Sequence, residues 1–243
     1  MPTNRLDKYI SSQSGMSRKE SKIVIRQGKV SVNKVVIVDP QTRVDIQLSK
    51  VCLANVPLEY KKNVYIMLNK PKGILSACTD KSRQTVIDLV DDEQYKSRKL
   101  FPVGRLDKDT TGFLIITDDG DFAHKVISHK SGIEKEYLVA VEGEIDLSIM
   151  RKFAMGITLA DGTACLPAKL NIRQNSPERS VAEVTIMEGK YHQIKRMFGV
   201  VDLPVVELRR MSIGKLKLDD TLNEGEYREM EIQEIQAILH TRQ

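Results

Sequence analysis

The chain of 243 residues has few of the features that mark metal-dependent, secreted or membrane proteins. Its three cysteines, Cys52, Cys78 and Cys165, lie far apart and form no Cys-x-x-Cys pair. This spacing argues against a cysteine-based zinc site and favours reduced thiols. No apolar run approaches the roughly 20 residues that a membrane helix needs, and no signal-peptide pattern opens the chain. We therefore expect a cytoplasmic protein with no membrane partner.

The motifs of several common chemistries are missing too. There is no P-loop, no Gly-x-Gly-x-x-Gly after a strand, no His-Glu-x-x-His and no Gly-x-Ser-x-Gly. The four histidines, His124, His129, His192 and His240, lack metal-ligand spacing. These absences argue against metal hydrolysis, nucleotide hydrolysis and nicotinamide chemistry. We expect neither a metal nor another cofactor.

Positive charge is concentrated in the first quarter of the chain. Residues 1–60 hold ten Lys and Arg against five Asp and Glu, whereas the other 183 residues hold 28 of each. The whole net charge of +5 therefore lies in residues 1–60. Such a surplus is expected of a segment that faces a polyanion, and equally of a basic domain without such a partner. Charge alone leaves both interpretations open.

The same sixty residues predict two helices and a hairpin. Leu6, Tyr9 and Ile10 are spaced i, i+3, i+4, which predicts a short amphipathic helix ending at Gly15.

A second helix, residues 18–27, is predicted to begin with a capping box of Ser17 and Glu20 and to end at Gly28. Its basic side chains Arg18, Lys22 and Arg26 fall at i, i+4, i+8 and form one stripe. A hairpin with its turn at Asn33-Lys34 is predicted to follow.

Residues 61–243 predict a larger α+β domain, with a boundary between residues 60 and 61. The expected strands are 64–69, 112–117, 137–142, 168–173, 181–187 and 205–209, and the expected helices are 121–128, 146–155, 190–200 and 231–240. Strands and helices do not alternate regularly, which argues against a doubly wound parallel sheet. We expect a mixed, mostly antiparallel sheet with flanking helices.

Three segments of this domain carry candidate chemistry. In "VGRLDKDTTGFLIITDDGDF", Asp107 precedes an apolar strand; in "EKEYLVAVEG", Tyr137 heads a strand; in "MEGKYHQIKRMFGVV", Lys195 lies on a cationic helix. Taken one at a time, Asp107 is most often a turn residue, Tyr137 a half-buried sheet residue and Lys195 part of a solvated helix face.

Together these segments resemble the pseudouridine synthases, and in particular the RsuA-like branch, which acts on small-subunit ribosomal RNA. The stretch "RLDKYISSQSGMSRKES…VIRQGKVSVNKVVI" resembles the S4 RNA-binding domain of that branch, and "YIMLNKPKGILSA" resembles the opening of its catalytic domain. "YHQIKRMF" is more similar to the small-subunit branch than to the large-subunit branches, whose helix lacks the Tyr-His pair. The resemblance covers nearly the whole chain. It implies a small α/β S4-like domain over residues 1–60 and a catalytic domain of the pseudouridine synthase fold over residues 61–243.

The resemblance implies that the protein isomerises a uridine of 16S ribosomal RNA to pseudouridine without a cofactor. Asp107 is then the nucleophile, attacking either ribose C1′ or uracil C6. Tyr137 stacks on the target base, and its hydroxyl assists proton removal. Lys195 matches the basic residue that pairs with the aspartate; many relatives carry Arg there, and Arg196 is the fallback candidate.

The expected RNA contacts lie in both domains. Arg105 is expected at an RNA phosphate or at the flipped-out nucleotide, with a surface salt bridge as the alternative. The basic residues of the first domain expected against phosphates are Arg5, Lys8, Arg18, Lys22, Arg26 and Lys29.

Three other functions compete with this hypothesis. One is a large-subunit ribosomal RNA pseudouridine synthase of the same family, and another is a non-catalytic, ribosome-associated S4-type protein. The third, an S4-linked RNA methyltransferase, would need a Gly-rich cofactor loop after a strand, and the sequence has none. A monomer is the default expectation.

Overall fold

The computed structural model of the protein describes residues 2–239, and this part of the chain divides into two compact units. The first unit comprises the residues up to Val64 together with Val90–Leu100; the second comprises Tyr65–Leu89 and the residues from Phe101 onward. His240, which is also the last residue of the helix predicted over 231–240, lies outside the described residues. Within the described range, the helices are too short or too polar to span a membrane.

The first unit is a small α/β structure. Its elements are β1 (Thr3–Arg5), α1 (Leu6–Ser14), α2 (Arg18–Arg26), β2 (Val30–Val32), β3 (Val35–Val36), β4 (Arg43–Asp45), β5 (Val51–Leu53) and β6 (Val56–Leu58). Strands β3, β2, β5 and β6 form an antiparallel sheet in that order, and β1 pairs with β4. Leu6, Tyr9, Ile10 and Ile25 pack with valines of the strands to form its core.

The predicted helices and hairpin of this unit are confirmed. The left-handed Gly15 ends α1, and Ser17 and Glu20 form the capping box of α2. Asn33 and Lys34 adopt positive φ values of 50° and 70°, which close the hairpin of β2 and β3. A Cβ atom at Gly15 would overlap the carbonyl oxygen of Glu93, so glycine is required where segment 90–100 packs against the end of α1.

Asp7 in α1 is a fully buried carboxylate with two arginine partners. Arg5 donates hydrogen bonds to it at 3.2 and 3.0 Å, and Arg18 reaches both of its oxygens at 2.9 Å. Burial by itself would raise the pKa of Asp7, but the hydrogen bonds from Arg5 and Arg18 hold that pKa below its usual range. Arg18 therefore ties the start of α2 to α1. The Arg5 and Arg18 side chains remain 41% and 52% exposed, and their contact with RNA stays a prediction.

The second unit is built around one large sheet. Its strands are β7 (Tyr65–Lys70), β8 (Phe101–Pro102), β9 (Thr111–Thr117), β10 (Lys135–Glu142), β11 (Lys169–Gln174), β12 (Arg179–Ile186), β13 (Val205–Ile213), β14 (Leu216–Lys217) and β15 (Tyr227–Glu229). Its α-helices are α3 (Gly120–Ile127), α4 (Leu147–Met155), α5 (Gln193–Gly199) and α6 (Ile232–Leu239). The strand order is β11-β12-β10-β13-β9-β7-β15, with β14 beside β13 and β8 beside β9.

The predicted fold class is confirmed. Among the described strand pairs of this sheet, β9 and β13 run parallel and the others run antiparallel. The largest differences from the predicted elements are the start of α5 at Gln193 and the end of β13 at Ile213. Helix α5 starts late because His192 adopts a left-handed conformation with φ 48°. Strand β13 runs on because its last residues pair with β14.

The sheet brings the three candidate segments together. Asp107 lies on the loop that leads into β9, Tyr137 lies on β10, and β13 separates these two strands. Gly112 allows the parallel contact of β9 with β13, because a Cβ atom there would overlap the backbone of Arg210. Helices α4 and α5 meet through Phe153 and Phe198, whose ring centroids are 4.7 Å apart.

Candidate active site

The loop that carries Asp107 is fastened by hydrogen bonds on both sides of that residue. The Ser76 hydroxyl accepts from the Leu106 amide at 3.1 Å and donates to the Leu106 carbonyl at 2.9 Å. The Thr110 amide donates to the Asp107 carbonyl at 3.1 Å. The Asp107 side chain is 26% exposed, so it is reachable from solvent on a backbone that is held in place.

Lys70, the last residue of β7, lies buried beneath this loop. Its ammonium group donates to the carbonyl oxygens of Thr110 at 3.0 Å, Pro71 at 3.0 Å and Lys108 at 3.4 Å. Burial lowers its pKa to about 8, against the raising influence of Asp109 and Asp107. Sequence reasoning missed this residue, although a lysine that ends an apolar strand just before Pro71 was a signal.

Lys195 lies between two carboxylates of the loop. Its Nζ is 3.7 Å from Asp107 Oδ2 but only 2.6 Å from each oxygen of Asp109. The hydrogen bond from Lys195 holds the pKa of Asp109 below its usual range. The predicted proximity of Lys195 to Asp107 is present in the structure, while the shorter contact goes to Asp109, which the sequence did not single out.

His192 is a second group close to Asp107, and sequence reasoning did not assign it a role. Its Nε2 is 3.5 Å from Asp107 Oδ1. The ring stacks on Tyr191 with a centroid distance of 3.9 Å and an interplanar angle of 17°. Buried Gln193 shapes the adjoining turn, because its side chain accepts from the Lys190 amide and donates to Glu188. The sequence predicts that His192 lies inside a helix. The left-handed backbone conformation that His192 adopts beside the Asp107 loop could therefore not be predicted from the sequence.

Asp107 opens onto a narrow cleft with a cavity volume of about 60 Å³. Tyr137, Arg105 and His192 also line it, together with apolar side chains such as Ile186 and Leu208. The Tyr137 hydroxyl accepts a hydrogen bond at 3.4 Å from Arg210, a buried residue of β13 that the sequence did not single out. The cleft therefore combines the Asp107 carboxylate, the Tyr137 ring and two side chains that can donate hydrogen bonds, Arg105 and His192.

The remaining residues predicted to bind RNA have varied surroundings. The Arg105 side chain is exposed and forms no hydrogen bond or ion pair with any described residue. Arg196 pairs with Asp161 at 2.5 Å and not with Asp107. In the first unit, Lys8, Arg26 and Lys29 are exposed and Lys22 is half-buried.

Among residues 2–239, His, Cys, Asp and Glu side chains form no cluster suited to hold a metal ion.

Comparisons with known proteins identify the family of this chain. Residues 64–199 match the RNA pseudouridylate synthase family, and residues 4–47 match the S4 domain. The uncharacterized RNA pseudouridine synthase YtzG of Bacillus subtilis is 39% identical, over 96% of this chain and 98% of its own. Ribosomal small subunit pseudouridine synthase A of Pasteurella multocida is 36% identical, over 95% of this chain and 97% of its own.

A solved structure supports the same assignment. The crystal structure of a pseudouridylate synthase superposes with a TM-score of 0.66 at 34% identity, covering 96% of this chain and 99% of that one. The family match covers more than half of the chain, and the relatives span nearly all of it. The resemblance found in the sequence is thus confirmed, and the chain belongs to the RNA pseudouridylate synthase family, with an S4 domain at its N-terminal end.

Proposed function

We propose that this enzyme converts a uridine of small-subunit ribosomal RNA to pseudouridine, with Asp107 as the nucleophile. The observation that carries the proposal is the position of Asp107, a partly exposed carboxylate on a fastened loop within 4 Å of Lys195 and His192, in a cleft shared with Tyr137. Relatives such as those of Pasteurella multocida and Yersinia pestis, each 36% identical, are named ribosomal small subunit pseudouridine synthase A. Their names support the choice of RNA.

The reaction demands little more than this set of side chains. The N1–C1′ bond of the uridine breaks, the base turns, and a C5–C1′ bond forms while C5 loses its proton. There is no net oxidation, so a nucleophile, a pocket for the loose base and a proton acceptor suffice. Asp107 can act at ribose C1′, as carboxylates do in retaining glycosidases, or at uracil C6. Both routes use the same carboxylate.

The Lys195 cation and the His192 ring lie beside the carboxylate that is proposed to act as the nucleophile. Lys195 places a positive charge 3.7 Å from Oδ2, and His192 faces Oδ1 at 3.5 Å. The positive charge of Lys195 at this distance stabilises negative charge on the carboxylate when a bound nucleotide displaces water from the cleft. Lys195 supplies a point charge here, in place of the fork of donors that an arginine would offer.

Tyr137 is suited to hold the base. A uridine within folded RNA has to leave its stack before Asp107 can reach it, and an aromatic ring offers the extruded base a new stacking partner. Such stacking contributes about 1–3 kcal/mol per base and tolerates rotation of the ring. The cleft of about 60 Å³ has to widen when the nucleotide enters. Exposed Arg105 at its edge is proposed to contact the RNA backbone.

The first unit is proposed to supply most of the affinity for RNA. Its basic residues proposed to contact phosphates are Arg5, Lys8, Arg18, Lys22, Arg26 and Lys29. Contacts of this kind hold RNA by charge and shape without reading bases, so the first unit binds while the second carries out the chemistry. We also propose that the enzyme works as a monomer in the cytoplasm.

A tritium-release assay tests this function. The full chain is incubated with small-subunit and, separately, large-subunit ribosomal RNA that carries tritium at uracil C5. We expect release from small-subunit RNA that saturates at one uridine per molecule. Release from large-subunit RNA alone would favour the large-subunit alternative, and tight binding without release from either would favour a non-catalytic RNA-binding protein.

A further inference from the structure

Arg210, in the middle of β13, is a buried arginine in direct contact with Tyr137. It is 4% exposed, and it lies opposite Tyr137 in the register of β10 and β13. Its Nε donates to the Phe113 carbonyl at 2.7 Å, and its Nη1 donates to the Tyr137 hydroxyl at 3.4 Å. Its Nη2 has no hydrogen-bond partner among the described residues. The guanidinium group thus bridges β9, which begins just after the Asp107 loop, and the cleft tyrosine.

The charge of this arginine is uncompensated. No described carboxylate forms an ion pair with Arg210 or with Lys135, a second buried cation that donates to the Ile133 carbonyl. Burial, and then the charge of Arg210, lower the pKa of Lys135 to about 8. A buried cation without a counter-ion destabilises a fold, and an apolar side chain of similar size would pack there at a lower free energy. Stability alone therefore does not explain Arg210.

The chemistry of the contact suggests an explanation. A guanidinium group can only donate hydrogen bonds, so the Tyr137 oxygen accepts from Arg210 and the hydroxyl hydrogen has to point elsewhere. The distance of 3.4 Å between Arg210 Nη1 and the Tyr137 oxygen is long for a hydrogen bond. Such a bond shortens when its acceptor gains negative charge. The nearby positive charge stabilises that negative charge in a site from which water is excluded.

We propose that Arg210 is a positioning residue that acts through Tyr137, orienting its hydroxyl oxygen and stabilising negative charge on it during removal of the C5 proton. The inference rests on the proposed function. In the step concerned, on the C1′ route, the Tyr137 hydroxyl gives its proton to solvent, and Arg210 stabilises the negative charge left on the oxygen. The C5–H bond then breaks and its proton passes to that oxygen. The electrons of the C5–H bond form the C5=C6 double bond, the π electrons of the C6=N1 bond move to N1, and N1 takes a proton from solvent. Arg210 touches neither the base nor Asp107 in this account.

A double-mutant cycle separates this role from a purely structural one. Arg210→Gln, Arg210→Lys, Tyr137→Phe and the double variant Arg210→Gln/Tyr137→Phe are assayed as full chains on small-subunit RNA with protium or deuterium at uracil C5. Arg209→Gln serves as the matched control, because Arg209 is the neighbouring arginine of β13, half-buried, and pairs with Glu224. Circular dichroism and urea unfolding establish that each variant is folded.

We expect Arg210→Gln to lower kcat about 100-fold, with KM within about threefold, and to enlarge the C5-deuterium isotope effect on kcat. Arg210→Lys should restore part of the rate, and Arg209→Gln should stay within about twofold of the wild type. In the Tyr137→Phe background, adding Arg210→Gln should change kcat by less than about threefold.

Two results would overturn the inference. One is an equal loss of kcat from Arg210→Gln with and without the Tyr137 hydroxyl, with an unchanged isotope effect, which would assign Arg210 to the fold alone. The other is a folded Arg210→Gln variant with the kcat of the wild type. Failure of the proposed function looks different, since the wild type itself would then release no C5 label from small-subunit RNA.

Discussion

Lys195 is shared by two carboxylates that lie two positions apart on one loop. Its ammonium group is 2.6 Å from both oxygens of Asp109 and 3.7 Å from Asp107. Asp109 is the more exposed of the two, at 58% against 26%. We interpret Asp109 as an anchor that keeps the Lys195 cation beside Asp107, the proposed nucleophile, without a hydrogen bond from Lys195 to Asp107 itself.

The variants Asp109→Asn and Lys195→Met should therefore differ in kcat. Without the Asp109 charge, Lys195 loses its anchor but can still reach Asp107, so we expect kcat to fall only about threefold. Lys195→Met removes the cation itself, and we expect kcat to fall about 100-fold, because one well-placed charge in a dry site contributes several kcal/mol to a transition state. Initial rates of tritium release measure both. An equal loss in the two variants would show that Asp109 is as necessary as Lys195.

At the scale of elements, Asp7 joins α1 to α2. The paired arginines are about half exposed, so solvent weakens the ion pairs, and we expect Asp7→Asn to lower the free energy of unfolding by about 2 kcal/mol at neutral pH. The folded-state pKa of Asp7 is lowered, so its contribution is complete above the unfolded value of about 3.9 and is lost as pH falls through the folded value.

Hydrogen exchange of the α1 and α2 amides at several pH values provides the measurement. Protection in the Asp7→Asn variant should be lower than in the wild type at pH 7, and the difference should shrink below about pH 4. A difference that stays constant down to pH 2 would mean that the effect of Asp7 does not depend on its charge.

Elements with strong local signals could be predicted from the sequence. Helix α1 has periodic apolar positions and a left-handed glycine at its end, α2 has a capping box at its start and Gly28 after its end, and β9 and β10 are long apolar strands. Short strands such as β1, β4 and β8 were not predicted, because two or three residues carry no periodicity and are defined by partners far away in the chain. The return of segment 90–100 to the first unit likewise depends on packing against α1 and leaves no local pattern.

The residues of the candidate site were likewise predicted only in part. Asp107, Tyr137 and Lys195 come from three separate segments whose joint resemblance to a family identified them, and the sheet and α5 bring them together. Lys70, Asp109, His192 and Arg210 were missed because their roles depend on distances that only folding creates. For Lys70 the sequence does hold a signal, since it ends an apolar strand just before Pro71, whereas the sequence around Asp109, His192 and Arg210 holds none.

At the scale of the whole molecule, binding and chemistry are assigned to different units, and this can be tested by charge reversal. Lys22→Glu with Arg26→Glu should weaken RNA binding about tenfold at 0.15 M salt and flatten the dependence of affinity on salt, while kcat changes little. Arg18 is unsuitable for this test because it also holds Asp7. Binding is measured by titration of small-subunit RNA at several salt concentrations.

Lys125→Glu with Lys130→Glu is the matched control, since both lysines are exposed in the second unit and the change in net charge is the same. We expect this pair to leave affinity within about twofold of the wild type. Equal weakening by both pairs would show that RNA senses only the net charge of the protein and not the stripe on α2.

The central claim is that Asp107 is the nucleophile of a uridine isomerisation, and one substitution tests it most directly. Asp107→Asn keeps the size of the side chain and removes its charge. With small-subunit RNA tritiated at uracil C5, we expect its release rate to fall about 1,000-fold or more, with RNA affinity within about threefold of the wild type. A folded Asp107→Asn variant that releases tritium as fast as the wild type would contradict the account.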